Sequence, residues 1–153
     1  MAMEDNQPIN EILERAFRLA LLSEHEYVTL EHLALVILEH KDIVDILATL
    51  GITTTPVIED IKNFLNSQDY LVVAGLTKPR KTQSLERAFN RAFTQAIFNG
   101  RASISPQDML LSVLSERNSH ACFYLSSHGI TKESVLDAVG KTNKQEGTAR
   151  DAG

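Results

Sequence analysis

The chain has 153 residues, of which 43% are hydrophobic and 23% charged, the balance of a globular protein with one domain or two small units. No apolar run approaches the ~20 residues that span a bilayer, and residues 1–8 are too polar for a secretory signal. The single cysteine, Cys122, excludes an internal disulfide framework and suits a reducing compartment. These features predict a soluble, cytoplasmic protein.

The charge is divided unevenly along the chain. Residues 1–66 contain 4 Lys or Arg and 12 Asp or Glu, a net charge of -8, whereas residues 67–153 contain 11 and 8, a net charge of +3. The acidic half repels polyanions, which disfavours DNA or RNA as a partner. A helical DNA-binding regulator is further disfavoured because no basic recognition helix is present. A cationic protein partner is the natural complement.

The first half predicts four helices. Apolar residues recur at helical spacing from Ile9 to Leu21, which indicates an amphipathic helix with one face in a core. Thr29 stands at the N-cap of a second helix, and apolar residues on all sides of that helix predict nearly complete burial. A third helix ends at Gly51, and Thr55-Pro56 opens a fourth that ends near residue 66.

The second half repeats this pattern after a connection at residues 67–83. Gly100 closes its first helix, Ser105-Pro106 opens a buried second one, and Thr131 caps the last, which Gly140 ends. The copies align residue by residue: Arg15-Ala16-Phe17 with Arg91-Ala92-Phe93 at an offset of 76, and Gly51-Ile52-Thr53 with Gly129-Ile130-Thr131 at an offset of 78.

This internal duplication predicts an all-α fold, in which two pseudo-twofold-related four-helix repeats form one compact eight-helix domain. We expect the first repeat at residues 9–66 and the second at 84–140, joined by the 67–83 connection. Residues 1–8 are expected to be disordered, and residues 141–153, polar and without periodicity, to form a flexible tail or linker. Within the connection, Tyr70 to Val73 are expected to pack between the repeats, with an apolar patch for unfolded chains as the alternative.

One phrase resembles a known family. Glu26-Tyr27-Val28-Thr29-Leu30-Glu31-His32-Leu33, after a helix with Arg15-Ala16-Phe17, resembles the first repeat of the N-terminal domain of Clp/Hsp100 unfoldases, closest to the ClpA type. The stretch from Ser105 to Leu114, followed by Leu125 and Gly129, resembles the second repeat. The resemblance covers about Ile9 to Gly140, nearly all of the region expected to be ordered.

The resemblance implies a non-catalytic docking domain. In that family the domain is a mobile appendage on an ATP-driven ring, and it recruits substrates or adaptors such as ClpS, which presents proteins bearing N-degrons. The ATPase modules of the family are absent from these 153 residues, so no enzyme activity and no cofactor are expected. Within a longer chain the partners would include those modules and a protease ring. The isolated domain is expected to be a monomer, because ring assembly in the family belongs to the ATPase modules.

The resemblance also implies a partner-binding site. Glu26 and Glu31 match the adaptor-contact surface of the family, where each would accept a charge-assisted hydrogen bond from a cationic group. The predicted site also includes Glu24, Tyr27 and His32, with Gln107 and Asp108 as second-repeat counterparts. In ClpC-type relatives an acidic residue in each repeat can hold a phosphorylated arginine. Glu31 matches the first of these positions but Gln107 occupies the second, which counts against phosphoarginine recognition.

A small metal-dependent or carboxylate enzyme is the alternative from another class, with Glu24, Glu26, Glu31 and His32 as its site. The sequence has no HExxH motif and no cysteine pair, so we expect no metal site. The expected roles of the histidines are instead structural. His25 is interpreted as a solvated loop residue and His32 as a hydrogen-bonded residue in the first turn of a helix.

Two further motifs are interpreted as structural. The stretch from Gly75 to Thr82 nearly spells a phosphate-binding loop, but Arg80 replaces its second glycine and Pro79 removes an N–H donor. It is expected to be a surface connection with a basic end, in which Lys78, Arg80 and Lys81 are solvated; the alternative is that they contact acidic substrates or the unfoldase body. Cys122 has no adjacent base that would activate a nucleophile, and it is expected to be a small core residue.

Overall fold

The structure, a computed structural model, describes residues 7–140 as a bundle of α-helices with one small sheet. Of residues 1–8, expected to be disordered, residues 1–6 lie outside the described residues, as does the tail at residues 141–153, whereas Gln7 and Pro8 begin the first helix. The all-α prediction is confirmed. The helices are α1 Gln7–Leu22, α2 Leu30–Glu39, α3 Lys41–Thr49, α4 Thr55–Asn66, α5 Gln83–Phe98, α6 Pro106–Ser115, α7 His120–Ser127 and α8 at residues 132–140; the strands are β1 Tyr27–Val28 and β2 Arg80–Lys81.

The helices repeat in order and length. Helices α1 and α5 both have 16 residues, and α2 and α6 both have 10, with bounds offset by 76 positions in each case. Helices α3 and α4 correspond in the same way to α7 and α8. Four helices thus fall in each half, in agreement with the predicted duplication, while the repeat boundaries at residues 66 and 84 stay a prediction.

The core forms around α2 and α6, which pack against each other and against the first helix of their own repeat. All residues of α2 from Leu30 to Leu38 are buried, as the sequence predicted. Helix α1 approaches α2 closely, and α5 approaches α6, because the buried positions on α1 and α5 include small residues: Ala16, Ala20, Ala88, Ala92 and Ala96, each 0% exposed. Burying each large aliphatic side chain of this core contributes about 1.5–3 kcal/mol.

Both central helices begin with the same reciprocal cap. The Thr29 N–H donates to His32 Nδ1 at 3.0 Å, and the His32 N–H donates to Thr29 Oγ1 at 3.4 Å. At the equivalent positions of α6, the Ser105 N–H donates to Asp108 Oδ2 at 2.8 Å, and the Asp108 N–H donates to Ser105 Oγ at 3.2 Å. These capping boxes give partners to backbone N–H groups that have none within their helices.

The first helix of each repeat also ends in the same way. The His25 N–H donates to the Ala20 carbonyl at 2.9 Å, and the Arg101 N–H donates to the Ala96 carbonyl at the same distance. Such an ending places one residue in the left-handed region. In α5 that residue is Gly100, with φ 70°, whereas in α1 it is Glu24, with φ 54°. Glu24 adopts a conformation that favours glycine, and its carboxylate accepts a hydrogen bond from the Gly75 N–H at 3.0 Å.

The 67–83 connection crosses the first repeat beside β1. A 3-10 turn at Asp69–Leu71 precedes an antiparallel bridge between His25 and Val72, and β2 pairs with β1 in parallel. Of the four residues expected to pack between the repeats, only Leu71 is buried; Tyr70 is 77% exposed, and Val72 and Val73 are exposed. That expectation is wrong because backbone hydrogen bonds to Glu24 and Glu26, rather than side-chain burial, hold this segment.

We expect Gly100→Ala to lower the free energy of unfolding by about 1 kcal/mol, because a left-handed conformation costs an alanine that amount and no atom blocks the new methyl group. Urea denaturation measures the change. The matched variant Glu24→Gly relieves the same conformational cost in the first repeat while losing the bond to Gly75, so it should change stability less. An unchanged stability of Gly100→Ala would contradict the assigned conformation.

Candidate functional site

The residues between α1 and α2 form an exposed acidic surface. Glu24 is exposed, while Glu26 and Tyr27 are half-buried, and the Glu26 N–H donates to the Leu71 carbonyl at 2.7 Å. We call Glu24, Glu26 and Tyr27 the acidic ridge. Of the five site residues predicted in the first repeat, these three have surface that a partner could reach, and partner contact stays a prediction for them.

Glu31 lies in the interior, in contrast to the surface carboxylate that the sequence predicted. It is 9% exposed, and its Oε2 accepts a hydrogen bond from the Ala121 N–H at 3.0 Å. Ala121 is in the first turn of α7, where backbone N–H groups lack partners within the helix. Burial raises the pKa of Glu31, and the Ala121 hydrogen bond opposes that shift. The carboxylate therefore joins the two repeats, and little of it remains for a partner.

His25 and His32 form a buried pair beneath the acidic ridge. They are 4% and 0% exposed, so the prediction of a solvated His25 is wrong, whereas the hydrogen-bonded His32 is confirmed. Because the Thr29 N–H can only donate, His32 Nδ1 must be the acceptor and His32 Nε2 must carry the proton. Nε2 then donates to His25 Nδ1 at 2.9 Å. Both rings are neutral, and their tautomers follow from these bonds.

Burial and the neighbouring His25 lower the pKa of His32 to about 4, and burial also lowers the pKa of His25. Both nitrogens of His32 are already used inside the protein. Among the residues that the structure describes, no group of three His, Cys, Asp or Glu side chains is placed to hold a metal ion. The geometry therefore gives no support to an enzyme built on Glu24, Glu26, Glu31 and His32.

The second-repeat counterparts, Gln107 and Asp108, differ in accessibility. Asp108 is 7% exposed, and its Oδ2 accepts hydrogen bonds from Arg101 at 2.6 Å and from the Ser105 N–H. Its charge is therefore balanced within the protein. Gln107 is half-buried and lies beside a groove that the sequence did not predict.

This second-repeat groove lies between α5, α6 and α8 and has a volume of about 650 Å³. Phe98 and Leu136 line the groove, and 87% and 55% of their surface is exposed. Leu111 and Val139 add apolar surface, and the rest of the lining is polar or charged: Gln95, Asn99, Arg101, Ser105, Gln107, Asp108, Ser115 and Lys132. In the sequence, this groove could have been predicted from Phe98, an aromatic residue at the end of α5 beside the apolar stripe.

The first repeat has a smaller equivalent, about 250 Å³, between α1, α2 and α4. Leu22 lines it and is 84% exposed, at the position that corresponds to Phe98. Leu35 and Leu111 are likewise equivalent lining residues of the two grooves. Large apolar side chains are thus left in solvent at the same place in both repeats. Exposed apolar surface rimmed by polar groups is typical of an interaction site.

We expect stability to fall by about 3 kcal/mol between pH 7 and pH 4 through His32 alone, because its pKa is about 4 when folded and 6.5 ordinarily. The unfolded chain binds the proton first as the pH falls, so this stability is complete above about pH 6.5 and is lost toward pH 4. Glu31, whose pKa is raised, acts in the opposite direction. Denaturation of wild type and His32→Gln across this range measures the difference.

In that experiment glutamine can retain the capping box while removing the titrating group, so the His32→Gln curve should be flatter. Asn118→Gln, which introduces the same glutamine at an exposed position without a titrating group, serves as the control and should keep the wild-type slope. Parallel curves for wild type and His32→Gln would contradict the role assigned to His32.

The sequence matches the Clp repeat (R) N-terminal domain over residues 6–128. A ClpA homolog protein from Fuscovulum blasticum is 21% identical over 133 residues, which are 86% of this chain and 17% of that protein. The chaperone protein ClpB from Chlamydia pneumoniae is 33% identical over 110 residues, 68% of this chain and 12% of that protein. The chain thus spans less than a fifth of the length of these two relatives.

Solved structures share the fold. The Hsp104 N-terminal domain from Candida albicans superimposes with a TM-score of 0.73 at 11% identity, covering 90% of this chain and 89% of that one. The ClpV N-domain from Vibrio cholerae gives 0.71 at 21% identity, covering 89% and 82%. A complex of a ClpV N-domain with a VipB peptide gives 0.64 at 21% identity, covering 87% of each chain.

Within residues 7–140 no helix is long and apolar enough to cross a membrane. The match to the family extends over most of the chain, and the helices have the order and placement found in its solved members. The chain therefore belongs to the Clp repeat N-terminal domain family.

Proposed function

We propose that this chain is the docking domain of a Clp-type ATP-dependent unfoldase in the cytoplasm, where it binds protein segments and a ClpS-like adaptor for delivery to unfolding and proteolysis. The observation that carries the proposal is the second-repeat groove, with Phe98 and Leu136 exposed on it. A binding domain needs such a surface, whereas a domain with a purely structural role would gain stability by burying it.

The groove has the composition of a peptide site. Its volume of about 650 Å³ falls within the ~300–1,000 Å³ usual for ligand sites, which are apolar with a few polar groups that fix orientation. Phe98 and Leu136 can contact apolar side chains of a bound segment, while the Gln107 amide can bond its backbone. A related ClpV N-domain has been solved with a VipB peptide, which supports peptide docking as a use of this fold.

The acidic ridge is the proposed adaptor surface. Glu24 and Glu26 lie on the acidic half of the chain, whose net charge of -8 favours approach of a cationic partner. Backbone bonds between residues 24–26 and the connection hold the backbone of both residues in place, and the Gly75 N–H also bonds the Glu24 carboxylate. His32 bonds to His25, which lies between Glu24 and Glu26 in the chain. Because Glu31 is buried and Gln107 is uncharged, phosphoarginine recognition is not part of the proposal.

We expect Phe98→Ser combined with Leu136→Ser to weaken binding of an apolar substrate peptide about tenfold or more, because exposed aromatic and aliphatic anchors dominate such contacts. Fluorescence anisotropy with a labelled peptide measures this effect. Val44→Ser, at an exposed valine on α3, is the control and should bind as wild type does. Equal affinity of the groove variant and wild type for the peptide would mean that substrates bind at another surface of the domain.

For the adaptor, calorimetric titration with purified ClpS should show one-to-one binding that Glu26→Lys weakens about tenfold or more, since reversal replaces an attraction with a repulsion. Glu59→Lys makes the same charge change at an exposed position on α4 and should have little effect. If wild type does not bind ClpS, the proposal retains substrate capture through the groove and loses the adaptor.

A further inference from the structure

The connection presents three exposed cations beside β2. Lys78, Arg80 and Lys81 are exposed, and no residue that the structure describes forms an ion pair with any of them. With Phe17, Pro79 and Glu86 they line a cleft of about 480 Å³. By contrast, Arg87, Arg91 and Arg101 all pair with carboxylates inside the second repeat. The cations of the connection therefore remain available to a partner.

The same segment has an open backbone edge. The Arg80 N–H donates to the Glu26 carbonyl at 2.8 Å and the Thr82 N–H to the Val28 carbonyl at 3.2 Å, so both face β1. Because backbone groups of a strand alternate in direction, the N–H and C=O of Lys81 face away from β1. Within the described part of the chain no group accepts from the Lys81 N–H. An unpaired strand edge is a template for a further strand.

We propose that this basic edge, Lys78 to Lys81, binds an extended acidic segment of a partner protein as a third strand beside β2. Backbone bonds to Lys81 would fix the segment, and carboxylates on it would pair with Lys78 and Arg80, while Lys81 adds positive charge on the other face. Side chains two residues apart on a strand share a face, so a segment with acidic residues at alternate positions fits best. The acidic ridge adjoins β1, on the other side of the sheet, so the two surfaces attract partners of opposite charge.

A peptide fits this edge better than a nucleic acid does. A nucleic acid could use the cations, but it lacks the backbone amides that a strand edge pairs with. The inference does not depend on the adaptor or on the second-repeat groove, so it can fail while the proposed function stands.

The first test is fluorescence anisotropy with a labelled octapeptide of alternating Glu and Thr. We expect saturable binding that weakens with added salt, and none with the matching neutral peptide of alternating Gln and Thr. The triple variant Lys78→Glu, Arg80→Glu, Lys81→Glu should bind about tenfold or more weakly, from two lost ion pairs and the reversed charge at position 81. Lys41→Glu, Lys62→Glu, Arg117→Glu makes the same charge change at exposed sites elsewhere and should keep most of the affinity.

The second test separates the backbone from the charge. Lys81→Gln removes the cation and keeps the N–H, whereas Lys81→Pro removes both while leaving the bonds of Arg80 and Thr82 to β1 possible. We expect Lys81→Pro to bind roughly fivefold more weakly than Lys81→Gln, from one lost backbone bond. Circular dichroism checks that both are folded. If Lys81→Pro unfolds, the acidic peptide N-methylated at alternate amides replaces it, and it should bind wild type more weakly.

Three results would overturn the inference. The first is equal loss in both charge-reversal triples, which would mean nonspecific attraction. The second is equal binding by Lys81→Pro and Lys81→Gln, or equal binding of the methylated and unmethylated peptides, which would mean that no strand is added. The third is tighter binding of a single-stranded oligonucleotide than of the peptide, with the same affinity for Lys81→Pro as for wild type, which would make the edge a nucleic-acid site.

Discussion

A helix buried on all sides must find partners inside the protein for the backbone N–H groups of its first turn, and this constraint shapes the domain. Helix α2 meets it with Thr29 and His32, and α6 meets it with Ser105 and Asp108. Each capping side chain in turn needs a partner of its own. His32 needs the neutral His25 as its acceptor, and the bridge between His25 and Val72 brings the connection against β1. Asp108 needs a cation, which Arg101 supplies. The position of the connection beside β1 therefore depends on the cap of α2, and the ion pair between Arg101 and Asp108 depends on the cap of α6.

The two repeats differ in the residue that ends their first helix. Gly100 closes α5 in the left-handed region at little cost, whereas Glu24 closes α1 in the same conformation and adds a carboxylate that bonds to Gly75. Strain of this kind often marks a functional position. Here it places a charged side chain at the junction of the ridge and the connection. The first repeat thus has an acidic surface where the second has only a turn.

Sequence reasoning predicted the helices well because their signals are local. Caps at Thr29 and Ser105, the glycine at position 100 and the apolar stripes each act within a few residues. The site was harder to predict, since burial depends on residues far away in the chain. Nothing near Glu31 indicates that Ala121 will cover it, and nothing near His25 indicates that Val72 will pair with it. The grooves were missed because each is formed by three helices of a repeat.

The bond between Glu31 and the Ala121 N–H joins residues 90 positions apart. A contact of such sequence separation can form only after the intervening chain has been ordered, and the entropy of closing that loop opposes its early formation. The first repeat alone would leave this carboxylate without its partner, and α7 alone would leave an N–H group without its acceptor. The two halves are therefore expected to fold and unfold as one cooperative unit. During synthesis, nearly the whole domain must therefore leave the ribosome before Glu31 and the Ala121 N–H can pair.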